Sequence, residues 1–296
     1  MALSRRRLLA GALGAARAAA QSRPGETAET APPRAKPLVC LYSQTLIGID
    51  YIDLPPIVRG LGFDGLNLTV KPGGHVRPEQ ADTSLMPALE AIAGAGLEVP
   101  IVTTALTGLA DPTAGEILGL AGVVGVPFFR PGPWRFNAPS NTLLREIAGL
   151  AAAGRSTKVA MGIQNTNDPA GATVANVTRT IRPLDPRWVG FDFDPTPAAA
   201  EGGPAAVAAA FAMAQPRLKM VTARDCRANR DPAAAGSPTP CPLGEGAVDW
   251  PRFLGLLARA KFAGPITLQI DYAPPDTLAA IRRDLAFLRK HLEAAY

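Results

Sequence analysis

The chain has 296 residues, 47% hydrophobic and 19% charged, which supplies enough apolar side chain for a sizeable core and excludes an intrinsically disordered protein. The formal charge of +5 would point to a polyanionic partner, but residues 1–20 hold four of the 30 basic side chains and none of the 25 acidic ones, leaving the remainder at +1. A nearly neutral body lacks the electrostatic footprint of a nucleic-acid-binding protein.

The first stretch, "MALSRRRLLAGALGAARAAAQ", has a basic start, a short Leu/Ala/Gly run and an Ala-x-Ala site ending at Ala20, the layout of a signal peptide. "SRRRLL" resembles a twin-arginine export signal, whose cargo crosses the membrane folded; an ordinary secretory leader and an uncleaved basic tail are the alternatives. The run is too short for a permanent membrane span and is broken by Arg17. The expectation is a signal peptide over residues 1–20, a polar linker over 21–36, and a periplasmic or secreted location.

From residue 37 onward, short apolar runs alternate with helical patterns. The candidate strands are 37–43, 63–70, 98–104, 126–131, 158–164, 188–194, 218–224 and 265–271. Among the helices, Leu278, Ile281, Leu285, Leu288 and Leu292 recur at three- and four-residue spacing behind a capping Asp276. Asp249 caps a second stripe of Phe253, Leu256, Leu257 and Ala260. Continuous apolar strands in regular β/α alternation predict a parallel sheet buried on both faces. Eight such units over residues 37–296 predict an α/β fold, a single-domain (β/α)8 TIM barrel. The rival, an open doubly wound sheet, would place a glycine fingerprint in its first βα turn, and none is there. Three cysteines exclude a full disulfide framework; Cys226 and Cys241 can pair in an oxidising compartment, and Cys40 reads as core.

A barrel places its active site at the C-terminal strand ends. In chain order these carry Gln44 and Thr45; Asn67, Lys71 and His75; Thr103 and Thr104; Arg130; Gln164, Asn165 and Asn167; Asp192 and Asp194; Thr222, Arg224 and Asp225; Gln269 and Asp271. Such a ring suits a polyhydroxylated ligand, each of whose hydroxyls needs a partner once water is excluded.

The segments "GFDGLNLTVKPGGHVRPE", "LDPRWVGFDFD" followed by "EGG", "PLGEGAVD" and "GPITLQIDY" resemble the sugar phosphate isomerase/epimerase family, the xylose isomerase-like TIM barrels. The likeness covers residues 37–292 in order. It implies an isomerase or epimerase acting on a small-molecule carbohydrate, with a divalent metal held by Glu, Asp, His and Glu of strands five to eight. Those positions fall on Gln164, Asp194, Thr222 and Asp271 here. Further histidines of the pattern fall on Thr166 and Pro197, and the positions after strand one hold Gln44 and Thr45. Glutamine can offer a carbonyl oxygen to a cation but cannot accept a proton, so a two-glutamate proton transfer is unavailable.

Asp194, Asp271 and Gln164 are therefore the candidate metal ligands, an oxygen-only set suited to Mn²⁺ or Mg²⁺. The alternative for Asp194 is an ion pair with Arg224 that needs no metal. His75, Lys71, Arg224 and Asp271 are the candidate catalytic or substrate-orienting groups. Trp134 would offer a flat surface to a sugar ring, and Glu245 would order the loop before the seventh helix. A barrel that retains a carbohydrate cavity without catalysis is the competing function.

Overall fold

The computed structural model describes residues 36–136, 140–166, 170–228 and 238–296. The expected signal peptide, linker residues 21–35 and Asn167 lie outside the described residues. Eight parallel strands close into a barrel: β1 Val39–Tyr42, β2 Gly65–Val70, β3 Glu98–Thr104, β4 Phe128–Arg130, β5 Ala160–Gln164, β6 Val189–Phe193, β7 Leu218–Ala223 and β10 Ile266–Leu268. Closure is made where Val39, Cys40 and Leu41 of β1 pair with Ile266, Thr267 and Leu268 of β10. The predicted fold class is the observed one. Every expected strand is present; the last stops at Leu268, so Gln269 and Asp271 belong to the loop beyond it.

Helices follow the strands: α1 Leu54–Leu61, α2 Ala81–Gly94, α3 Ala114–Val123, α4 Asn141–Thr157, α5 Val174–Ile181, α6 Thr196–Ala214, α7 Trp250–Arg259 and α8 Thr277–Ala295. Both expected acidic caps form: Asp249 accepts from Arg252 N at 3.1 Å and Asp276 from Ala279 N at 3.0 Å. Each satisfies an amide that the helix start would otherwise leave unpaired, worth about 1 kcal/mol.

The core fills the layer between barrel and helices. On one side Phe193 of β6 meets Phe211 of α6 and Phe253 of α7 at centroid distances of 5.8 and 5.6 Å. Trp250 packs edge-on against Phe253 at 5.8 Å. Burying each ring stabilises by roughly 1.5–3 kcal/mol. Close strand packing has its own requirement in β6, where a Cβ on Gly190 would run into the carbonyl of Arg217. Among the described residues no helix is long and apolar enough to cross a membrane.

One element was not expected. After β7 the chain forms a small antiparallel ribbon, β8 Asp225–Arg227 with β9 Thr239–Cys241. Its register corrects the proposed disulfide. Cys241 pairs with Asp225 and Cys226 with Pro240, so the two thiols point to opposite faces of the ribbon. All three cysteines are buried, and none of them forms a disulfide.

Candidate functional site

The mouth of the barrel is built in two levels. In the lower level, Arg130 at the end of β4 crosses the interior to Asp192 of β6, Nε to Oδ2 at 2.6 Å, and donates from Nη2 to Thr222 Oγ1 of β7 at 2.8 Å. Thr222 in turn donates to Asp192 Oδ1 at 3.0 Å. Asp192 is fully buried, and burial pushes its carboxyl up against the opposing pull of the Arg130 charge. Opposite, Thr103 donates to Asn67 at 2.7 Å, and Asn67 Nδ2 approaches Thr267 Oγ1 at 3.3 Å. These inward polar groups pair with one another because the interior offers them no water.

The upper level divides into two halves. Over β6, β7 and β10, Arg224 lies between two carboxylates, its Nε 2.5 Å from Asp194 Oδ2 and its Nη1 2.7 Å from Asp271 Oδ2. Asp194 Oδ1 accepts from Thr196 N at 2.8 Å, and Asp271 Oδ1 accepts from Gln269 Nε2 at 2.7 Å. Asn165, just past β5, braces the cluster by exchanging two hydrogen bonds with the Asp194 backbone, at 2.8 and 2.9 Å. The Asp194 charge, foremost, raises the Arg224 pKa and holds the guanidinium protonated.

Over β1 to β5 the mouth is open. A cavity of about 250 Å³ is lined by Tyr42, Lys71, Thr103, Thr104, Arg130 and Gln164 on its polar side. Trp134 and Phe136 form its apolar wall, their rings edge to face at 6.5 Å. Trp134 is fixed by donating Nε1–H to the Thr107 carbonyl at 2.9 Å. Lys71 donates to Tyr42 Oη at 3.0 Å. The Arg130 guanidinium carbon lies 5.5 Å from the centroid of the same ring, so the phenol is flanked by two cations.

The structure thus separates the expected site residues. Lys71 and Gln164 line the cavity; Asp194, Asp271 and Arg224 form the ion-paired cluster beside it. His75 joins neither group. "KPGGHV" is a tight loop closed by Gly74 N to Lys71 O at 2.8 Å and Val76 N to Thr69 O at 3.1 Å, with Gly73 at φ 69°. That loop turns the imidazole toward the segment after β1, with Nδ1 3.3 Å from Thr69 Oγ1. Its Nε2 is buried without a hydrogen-bond partner among the described residues, and burial lowers its pKa below the usual 6.5. Glu245 lies on the surface, paired with Arg227 at 2.7 Å. The loop before α7 is instead ordered by Asp225, which accepts from Cys226 N, Gly244 N, Val248 N and Trp250 Nε1. Sequence reasoning placed Asp225 among the mouth residues; the "GEGAVDW" stretch, glycines and an indole able to approach it, was the available signal.

A resident divalent cation does not fit the described residues. All four oxygens of Asp194 and Asp271 already accept from N–H donors, two of them from a guanidinium that is itself positive. Gln164 lines the cavity, whereas neither aspartate does. Among the described residues no group of three or more His, Cys, Asp or Glu side chains is placed to hold an ion. A metal would have to displace Arg224 first.

A closed (β/α)8 barrel with its polar groups gathered at the strand C-termini defines the class of molecule. The match of residues 56–291 to the xylose isomerase-like TIM barrel model shows that the chain belongs to that family. No curated protein matches the chain in sequence. Among solved structures, it is similar to a xylose isomerase domain protein from Planctomyces limnophilus, with 16% identity and a TM-score of 0.67 over 88% of this chain and 98% of that one. A xylose isomerase-like TIM barrel protein from Mycobacterium smegmatis, in complex with magnesium, matches with 16% identity and a TM-score of 0.65, covering 90% and 99%. The 3-keto-D-glucoside 4-epimerase from E. coli matches with 17% identity and a TM-score of 0.66, covering 86% and 100%. At these identities the likeness establishes the fold.

Proposed function

We propose that the protein is an isomerase or epimerase that takes a sugar or sugar derivative into the mouth cavity. The observation that carries this reading is the cavity lining, which combines Thr103, Thr104, Gln164 and Lys71 with the rings of Trp134 and Phe136. Polar groups able to pair with ring hydroxyls, set against a flat apolar wall, are what recognition of a small carbohydrate requires. Family membership and the sugar epimerases among the structural neighbours support it.

Isomerisation and epimerisation move a proton at carbon, so a base must stand beside the ring. Asp192 and Asp194 are fully buried; the Asp271 side chain, in the loop after β10, is 25% exposed and is the carboxylate of the ion-paired cluster open to solvent. Asp271 takes and returns the proton in this reading, Arg224 positions it, and Gln164 and Thr104 orient the substrate. His75 supports the loop bearing Lys71 and stays out of the reaction. A metal-dependent route would need Asp194 and Asp271 to exchange Arg224 for Mn²⁺ or Mg²⁺, so the reading is drawn without one. The basic leader and polar linker support export in folded form by the twin-arginine route; replacing Arg6 and Arg7 with lysine should leave the protein in the cytoplasm.

A second reading is favoured by one observation: Asp271 is ion-paired and lies outside the cavity lining. The barrel would then bind carbohydrate without turnover. Incubation with a panel of aldoses and ketoses in D₂O separates the two. Deuterium entering at the carbon next to the carbonyl, abolished in Asp271→Asn, supports the isomerase; saturable binding without exchange supports the binding barrel; neither would sink both.

A further inference from the structure

The charges of the mouth are unevenly shared. In the ion-paired half, one guanidinium faces two carboxylates, Asp194 and Asp271. In the cavity half there are two cations and, among the described lining residues, no carboxylate. Arg130 is 7% exposed and is neutralised from below by Asp192. Lys71 has no such partner: among the described residues its Nζ meets the Tyr42 hydroxyl and no acid. Among the described residues the cavity therefore holds one uncompensated positive charge, and the opposite side of the mouth holds one negative charge in excess.

From this asymmetry we infer that the ligand is a sugar acid, a monoanion whose carboxylate sits at Lys71 beside Tyr42 and the rim of Arg130. The inference rests on the cavity being the carbohydrate site proposed above, and it adds the substrate class. A neutral sugar would offer the ammonium uncharged hydroxyls beside the Tyr42 phenol, whereas a carboxylate supplies a charge-assisted hydrogen bond. The charge count favours carboxylate over phosphate. The single free cation among the described lining residues matches one negative charge, and a phosphoryl dianion would leave one charge unpaired beside a second cation already spent on Asp192. The polarity of the mouth also sets an orientation, with the acid end at β2 and the hydroxyls toward Gln164 and the Asp271 side.

Calorimetry on the full chain tests this with matched probes, D-glucose against D-glucuronate and D-galactose against D-galacturonate, plus D-glucose 6-phosphate. A uronate should bind about tenfold more tightly than its neutral counterpart, the scale of one charge-assisted contact at a partly exposed site. Lys71→Met should erase that preference, the uronate losing about tenfold more affinity than its neutral counterpart, and Lys71→Arg should retain it. Equal binding of acid and neutral sugar overturns the sugar-acid inference and leaves the carbohydrate site standing. Tighter binding of the 6-phosphate than of either uronate assigns the anion to phosphate and also overturns it. A Lys71→Met variant that weakens acid and neutral sugar alike shows a packing role and overturns it; no heat with any probe counts against the carbohydrate site as well.

Discussion

The two halves of the barrel mouth use the same residue types to opposite ends. Over β6, β7 and β10, cation and carboxylates satisfy one another: Arg224 lies between Asp194 and Asp271, and the site is closed by its own charges. Over β1 to β5, Lys71 and the edge of Arg130 face a cavity with no lining acid among the described residues. Counting charged residues at strand ends treats these halves as equals. Only pairing distinguishes a group that holds the structure from one left to meet a ligand.

The comparison breaks most sharply at Arg130, which belongs to both levels. Arg130→Met would leave Asp192 charged and buried, at a cost of about 3–5 kcal/mol. Urea unfolding should show that loss, and the double change with Asp192→Asn should recover much of it. Full stability in the single variant would mean that Asp192 takes up a proton at no net cost.

At Arg224 the expected loss is smaller, about 1–2 kcal/mol, between the ranges for exposed and buried pairs, since its side chain is 28% exposed. The same change opens two carboxylates. Mn²⁺ should leave the melting temperature of the parent unmoved and raise that of Arg224→Met, because a ligand that binds only the folded state stabilises it. A rise in the parent would show that metal competes successfully with the guanidinium.

His75 sharpens the contrast between a mouth residue and a supporting one. Its pKa is lowered in the fold, by burial first, so the unfolded chain binds the proton more readily. Stability should fall as pH drops through 6.5 and level off below the folded pKa. His75→Gln should flatten that slope in melting curves, and an unchanged slope would assign it to other groups. The smallest effect is at the ribbon: burial, foremost, pushes the Cys226 and Cys241 thiols up to about 11. Both should resist a disulfide reagent at pH 8 in the native protein and react on unfolding.

Much of this was legible in the chain. β3 was expected over 98–104 and forms over Glu98–Thr104; the caps at Asp249 and Asp276 form where they were read. The Asp194–Arg224 pair was foreseen as an alternative to metal binding, because neighbouring strand ends in a barrel must lie side by side. Its third member was not, since Asp271 comes 47 residues after Arg224 and meets it only once β10 has paired with β7. The ribbon β8–β9 escaped because its strands are three residues each, too short for alternation to show. The position of His75 escaped because the direction of its side chain is set by the glycines and backbone bonds of a tight loop, which side-chain periodicity does not report.

The sequence by itself determined the β/α order, the burial phase of each element and the chemistry available at each strand end, because these depend on local periodicity and on which side chains water rejects. Tertiary structure decided which of those groups meet. Arg130 with Asp192, Arg224 with Asp194 and Asp271, and Lys71 with no acid among the described residues follow from how eight strands close into a ring. Closure sets distances between side chains from strands far apart in sequence, and at these distances a shift of a few ångströms separates an ion pair from an open binding site.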